Sequence, residues 1–263
     1  MKICVLGSGS SGNSIHVGCG NTRILVDAGL SGRETLRRIE LAGGDPSALD
    51  AICLTHEHGD HTAGLGALVK RLKPKLYANS ATVEAVEQAL ECKDWPWQVF
   101  TPGFKFEIGD IAVEPFSVCH DARDPVGFVL QHGDVKIGIV TDMGTATVLV
   151  RERLKDCRVL VIEANHDEGL LRDSKRPWSL KQRIAGRQGH LSNKCAAELV
   201  AEVAGPKLSH VFLVHLSEEC NRPGMACEAV QRKLNGAGLR EVKVLPTFPD
   251  RPSEVWCDGE GDQ

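Results

Sequence analysis

The stretch LTHEHGDHTAG, residues 54–64, crowds three histidines and two acids into positions 56–61, between the apolar run DAICLT and the helix-periodic TAGLGALVKRL. An apolar β run that stops on such groups predicts a strand ending at a site, with the chain turning into a helix near Thr62. In extended chain His56 and His58, two apart, project to one side. Asp60 and His61 follow at the turn, so two neighbouring donor pairs result. Unpaired buried imidazoles and carboxylates cost stability, whereas a divalent cation satisfies several at once, and the pattern therefore points to metal. Two metals need more donors than one loop carries. His120 closes IAVEPFSVCH, Asp142 closes VKIGIVTD and His215 closes HVFLVH, each an apolar β run ending on a metal-compatible side chain.

Outward from this stretch, KICVLG, SIHVG, TRILVDAG, GFVLQH, RVLVIEA and EVKVL read as further strands. GRETLRRIELAG, SATVEAVEQAL, SNKCAAELVAEV and GMACEAVQRKLNGAG carry helical periodicity. Strands cluster early and again mid-chain, which excludes a strict βαβ array and fits two sheets with helices packed outside. No repeat, low-complexity block or Pro/Ser-rich linker marks a boundary, so residues 1–263 read as one domain. GSGSSG, residues 7–12, has the spacing of a dinucleotide fingerprint, but that fingerprint needs a helix directly afterwards to hold the pyrophosphate. Here NSIHVGCGNTRILVD follows, a hairpin with a GCGN turn, so no organic cofactor is expected. The loop still offers Ser11, Asn13 and Ser14 as small donors.

The net charge of −4 argues against coating nucleic acid by bulk charge, yet leaves room for a local basic face. LLRDSKRPWSLKQRIAGRQGH, residues 170–190, is the candidate: Arg172, Lys175, Arg176, Lys181, Arg183 and Arg187 against a single acid, Asp173. It reads either as a solvated surface or as a ridge for phosphates. Ten cysteines are scattered singly with no C-x-x-C pair, which predicts reduced thiols rather than a disulfide framework or metal ligands. No apolar run approaches the ~20 residues that cross a bilayer, and the N-terminus lacks a secretory segment, so a cytoplasmic protein with no membrane partner is expected. His16, His132 and His210 lie in or beside strand patterns and read as structural. Ser217 and Asn221 fit turn and cap chemistry as well as a phosphate contact.

Taken in order, LVDAGL with Asp27, LTHEHGDHTAG, His120, VTDMG and VFLVHLSEECNRP resemble the metallo-β-lactamase fold hydrolases over nearly the whole chain. The resemblance implies an α/β fold, the αββα four-layer sandwich of the metallo-β-lactamase type. It implies that His56, His58 and His120 hold one metal, that Asp60, His61 and His215 hold the second, and that Asp142 bridges both, with Asp27 bracing the ligand loop. VLGSGSSGNS, SVCHDARDPVGF, IEANHD and GHLSN are similar to the YycJ/WalJ group, regarded as 5′ to 3′ DNA exonucleases, which brings DNA repair into view. Glu163 and His190 resemble a supporting Glu/His pair of the tRNA 3′-processing relatives, and His166 lies close by. The clamp domain and flexible arm of larger relatives have no counterpart of sufficient length here.

Two divalent cations ~3.5–4 Å apart make a bridging water a hydroxide near neutral pH and clamp the oxygens of an in-line displacement. The catalytic set is then Asp60, His190, Glu163 and His166: His190, oriented by Glu163, protonates the leaving oxygen, with His166 as the second candidate. Nitrogen and oxygen donors fit zinc and the carboxylates admit manganese or iron; resemblance favours Mn2+ or Zn2+. The expected partner is nucleic acid, DNA with a free 5′ end. Alternatives are a small-molecule hydrolase of the same fold, for a cyclic phosphodiester or thioester, or a regulatory protein retaining a metal site without turnover.

Overall fold

Successive strand side chains face opposite ways, and here both faces are apolar. Ile3 and Val5 enter a core between two sheets while Cys4 and Leu6 enter a second core under helices. Phe212 and Val214 likewise join the inter-sheet core, and Val211 and Leu213 a third core on the far side. Strands apolar on both faces need cover on both, which dictates four layers.

The computed structural model describes residues 1–259. Its first sheet runs β14 (Trp256–Cys257), β1 (Lys2–Gly7), β2 (Ser14–Cys19), β3 (Thr22–Val26), β4 (Ala51–Cys53), β5 (Lys75–Ala78), β6 (Trp97–Val99). The second runs β13 (Lys243–Pro246), β12 (His210–Val214), β11 (Val159–Glu163), β10 (Val135–Val140), β9 (Val126–His132), β8 (Ile111–Ser117), β7 (Phe106–Ile108). β1 to β3 pair antiparallel and β3 to β6 parallel. In the second sheet β7 to β10 pair antiparallel and β10 to β13 parallel. Helices α1 (Gly32–Leu41), α3 (Leu65–Leu72) and α4 (Ser80–Leu90) cover the first sheet through Leu36, Ile39, Leu65, Leu68 and Val86. Helices α5 (Val148–Leu154), α8 (Asn193–Val203) and α9 (Pro223–Gly236) cover the second through Val150, Leu154, Leu199, Val230 and Leu234. The architecture is the expected αββα sandwich. Three short helices, α2 (Gly59–Thr62), α6 (Glu168–Asp173) and α7 (Trp178–Ile184), lie on the connections.

The helix expected near Thr62 starts earlier, at Gly59, and breaks after one turn before α3 resumes. The cause is competition for carbonyls. Asp60 and His61 would accept from the amides four residues on, but their oxygens are taken by the amides of Asn13 and Ala28, and the Gly64 amide turns to Ala28 O. A Cβ on Gly29 would fall 1.7 Å from Asp60 O, so only glycine lets these backbones meet. The GSGSSG loop joins β1 to β2 as expected, and β2 and β3 turn tightly with Cys19 opposite Thr22. None of the ten cysteines forms a disulfide; Cys4, Cys19, Cys53, Cys157 and Cys220 are buried while Cys195 is exposed. Among the described residues no helix is long and apolar enough to cross a membrane.

Candidate metal centre

β4 delivers the chain at Cys53 into Thr55, and a buried carboxylate catches it. Asp27 follows β3 with φ 61°, a conformation costly for a residue with a side chain. Its Oδ1 accepts the Thr55 amide at 2.8 Å, and its Oδ2 lies 2.9 Å from Thr55 Oγ1 and 2.7 Å from His61 Nδ1. His56 Nδ1 lies 2.9 Å from Thr55 Oγ1. Both imidazoles are thereby gripped at Nδ1, which leaves Nε2 of each for whatever lies beyond.

Beyond lie two clusters. His56, His58 and His120 present donor atoms within 4.8 Å of one another, His56 Nε2 being 3.0 Å from His58 Nδ1. His120 donates Nδ1–H to Gly189 O at 3.0 Å, which points Nε2 inward without a partner. On the other side His61 Nε2 is 3.1 Å from Asp142 Oδ2 and 3.4 Å from Asp60 Oδ2. His215 Nε2 reaches Asp60 Oδ2 at 3.5 Å. Asp142 Oδ1 lies 3.9 Å from His120 Nε2, so this carboxylate stands between the clusters. Asp142 Oδ2 is buried and, despite its nearness to His61, has no hydrogen bond of acceptable geometry. Buried orphaned acceptors and lone pairs facing each other across about 3 Å are costly unless a cation sits among them. The donor chemistry therefore fits divalent metal, and His56, His58, His120, Asp60, His61, His215 and Asp142 are the residues that could hold it.

Asp142, Glu163, His190 and His215 also converge within 4.8 Å. That group is a hydrogen-bonded knot rather than a third cation site. Glu163 is fully buried; its Oε2 accepts the amides of Met143 and Leu191, and its Oε1 faces His190 Nδ1 at 2.7 Å and His215 Nδ1 at 2.9 Å. Protons between the carboxylate and both rings fill the space a metal would need. His190 keeps 22% of its side chain exposed, so the far side of its ring meets solvent. His166 is buried, accepts the Asn193 amide at its backbone carbonyl, and leaves Nδ1 without a hydrogen-bond partner among the described residues.

Burial opposes charge on every group here; charge pairing overcomes it at some and not at others. His61 is pushed well above the usual imidazole range because Asp27 and Asp142 outweigh desolvation, and His215 likewise through Asp142. Asp142 falls well below the carboxylate range against its burial, through His215 and His61. Asp60 is also lowered, by His215 and His61. His56 is driven well below its usual range by burial and by the neighbouring His61. Burial lowers His166, whereas Glu163 raises His190 despite its burial.

Sequence reasoning missed two braces. Thr55 couples three site residues through one hydroxyl, which meets Asp27, His56 Nδ1 and, at 3.4 Å, His61 Nδ1. Ser8 accepts the His215 amide at 2.8 Å and donates to Asn13 Oδ1 at 2.7 Å, while Asn13 Nδ2 donates to Asp60 Oδ2 at 3.1 Å. The polar GSGSSGN stretch hinted at this. His215 sits at φ 54°, held by that contact. A cavity of about 550 Å³ lined by His16, Arg23 and Asp45 lies at the opposite end of β1 and takes no part. Ser217 and Asn221 do turn and cap work: Ser217 Oγ accepts the Cys220 amide, and Asn221 ties Asn193 to Ala164 O.

The β-lactamase superfamily domain matches residues 22–216, which spans the strand ends that carry every donor above. The chain belongs to the β-lactamase superfamily. Within it, exodeoxyribonuclease YycJ of Bacillus anthracis is 35% identical, the match covering 97% of this chain and 98% of that one. Exodeoxyribonuclease WalJ of Streptococcus pneumoniae is 36% identical over 95% of each. The metallo-β-lactamase fold protein YhfI of Bacillus subtilis superposes with a TM-score of 0.73, covering 97% of this chain and 98% of that one at 16% identity. Zn(2+)-bound PqqB of Methylobacterium extorquens superposes with a TM-score of 0.69, covering 96% and 99%, also at 16% identity. At such identity these two structures speak for the shared superfamily fold.

Proposed function

We propose that the chain is a dinuclear metal-dependent phosphodiesterase that removes nucleotides from the 5′ end of DNA, as one domain built on the core between its two sheets. The observation that carries the reading is Asp142, a buried carboxylate set between two clusters of metal-compatible donors at one end of the sandwich. The names of the YycJ and WalJ relatives, matched over nearly their full length, supply DNA as the substrate. His56, His58 and His120 would hold one ion, Asp60, His61 and His215 the other, and Asp142 would serve both; Mn2+ and Zn2+ suit these nitrogen and oxygen donors. When bound, two such ions acidify water and offset charge on the phosphoryl oxygens of an in-line displacement.

The chain's own residues do the rest. Asp27 and Thr55 fix the tautomers of His61 and His56, and Gly189 that of His120. Glu163 holds His190 at Nδ1, so its Nε2 delivers a proton to the leaving oxygen. His166, second candidate for that role, leaves its Nδ1 without a hydrogen-bond partner among the described residues. An exonuclease acting in the cytoplasm, in work such as DNA repair, is consistent with ten cysteines of which none forms a disulfide.

End-labelled single- and double-stranded DNA, incubated with the purified protein plus manganese, zinc or chelator, tests the proposal. Mononucleotides released from the 5′ end with metal and not with chelator are expected. Asp142→Asn should abolish release while the circular dichroism spectrum stays that of the wild type. Release from the 3′ end, release in chelator, or full turnover by Asp142→Asn each contradicts a separate part of the reading.

A further inference from the structure

Of the four tryptophans, Trp95 and Trp97 are half-buried against each other and Trp256 is buried, but Trp178 is 69% exposed, with no ring contact among the described residues. It opens α7, which buries Leu180 and Ile184 against Leu171 and Cys220. At 100° per residue the opposite face carries Trp178, Gln182 and Ala185, all exposed. The far end of α7 is tied into the metal centre. Ile184 O accepts the His190 amide at 2.8 Å, and Gly189 O accepts from His120. Gln182 lines a cavity of about 270 Å³ with Asp121, Arg183, Arg187 and Gly189, next to His120 in the chain. Trp178 therefore stands one helical turn, about 6 Å, outside a recess whose lining includes Gly189, the residue that accepts from His120, and Asp121, the residue after His120.

The charge around this face is basic. Arg172, Arg176 and Arg183 pair with Asp173, Glu219 and Asp121, and Lys181 donates to the carbonyls of Arg172 and Ser174. Lys175 and Arg187 are exposed and, among the described residues, have no acidic partner within salt-bridge distance. An uncovered indole flanked by unneutralised cations, on a ridge leading to a phosphodiester-cleaving centre, matches single-stranded nucleic acid, whose bases stack and whose phosphates carry charge. We infer that Trp178 is a stacking platform for a base of the single-stranded DNA substrate, with the strand running along the outer face of α7 and its backbone facing Arg187. The inference rests on the nuclease reading and deepens it. At roughly 3.4 Å per stacked nucleotide the platform lies about two nucleotides outside the recess.

The test compares wild type, Trp178→Ala and Trp178→Phe as metal-loaded enzymes on a short 5′-phosphorylated single-stranded DNA and on bis(4-nitrophenyl) phosphate. Trp178→Ala should raise KM for the oligonucleotide on the order of tenfold with kcat within about twofold, and Trp178→Phe should restore most of the loss. Cleavage of the aryl diester should be equal in all three. Wild-type tryptophan fluorescence should be quenched by the oligonucleotide, and the quenching lost in Trp178→Phe. An unchanged KM in a Trp178→Ala enzyme that still cuts DNA overturns the inference alone. Equal losses on both substrates, or a wild-type dimer that becomes monomeric in Trp178→Ala, also overturn it, the ring then serving the fold or self-association. Trp178-dependent quenching without any cleavage overturns the nuclease reading instead, and leaves the platform standing.

Discussion

Asn13 holds Asp60 through one amide hydrogen bond, and through Ser8 it is also tied to the backbone of His215, a residue more than two hundred positions away. Both carboxylate and imidazole belong to the proposed second ion. Removing that brace frees the Asp60 carboxylate to rotate, and partners of metal ligands typically contribute 10- to 100-fold in affinity. Asn13→Ala should therefore weaken the second ion by about tenfold while sparing the first, read by competition against a graded chelator. Equal affinity for both ions in variant and wild type contradicts the brace. A different single residue contributes to the acid limit of the fold. His16, in β2, is buried near Arg23, and burial first, then that guanidinium, lowers its pKa to about 4. A folded pKa below the unfolded value of 6.5 means the unfolded chain binds more protons between the two. The stability from neutral His16 is thus present above pH 6.5 and drains away as pH falls toward 4, by about 3 kcal/mol. Urea unfolding of His16→Gln across that window should give a flatter acid limb than wild type; parallel curves refute the assignment.

Elements were legible in proportion to their length and to how much of their pattern was their own. β8, β9, β10 and β12 were read from apolar runs, and α4, α8 and α9 from helical periodicity. β5, β6, β7 and β14 are two to four residues long and are strands only because a neighbour supplies their ladder. α5, α6 and α7 have one or two turns, too short for a period to repeat. The donors were legible because His and Asp at strand ends have few uses; their braces were not, since Ser8, Asn13 and Thr55 read as ordinary turn chemistry until distant segments meet. The stretch 170–190 exposes a further limit. With Asp173 as its lone acid it reads either as a solvated surface or as a phosphate ridge, and folding brings Glu219 and Asp121 to Arg176 and Arg183. Among the described residues, Lys175 and Arg187 are the cations of this stretch without an acidic or carbonyl partner. Replacing both with alanine should weaken single-stranded DNA binding and reduce the slope of log affinity against log salt by about 1.4, at ~0.7 per neutralised phosphate. An unchanged slope, measured by fluorescence anisotropy from 50 to 200 mM salt, removes the α7 connection from the binding surface.

For the molecule as a whole, the donors belong to both halves of the sandwich. His56, His58, Asp60 and His61 leave the first sheet, whereas His120, Asp142 and His215 leave the second. The proposed ions would therefore staple one sheet to the other at the end where the inter-sheet core stops. Without them that end relies on charge pairs: His61 and His215, both raised, with Asp142, lowered. The sign for the raised histidines is opposite to that of His16. Their contribution is complete below pH 6.5 and disappears as pH climbs through their folded values, just where imidazoles become free to take metal. Metal-free protein should then lose stability as pH rises from 6.5 to 9, while the metal-loaded form, whose ligands need no proton, should not. An ion held at a hundred times its dissociation constant adds about 2.7 kcal/mol, or roughly 5–10 °C in Tm for a chain of this size. Scanning calorimetry with and without chelator at pH 6.5 and pH 9 should show a gap of about that size per ion at the lower pH, and a wider one at the higher. A gap that narrows with pH would mean that the sheets are not joined through these side chains.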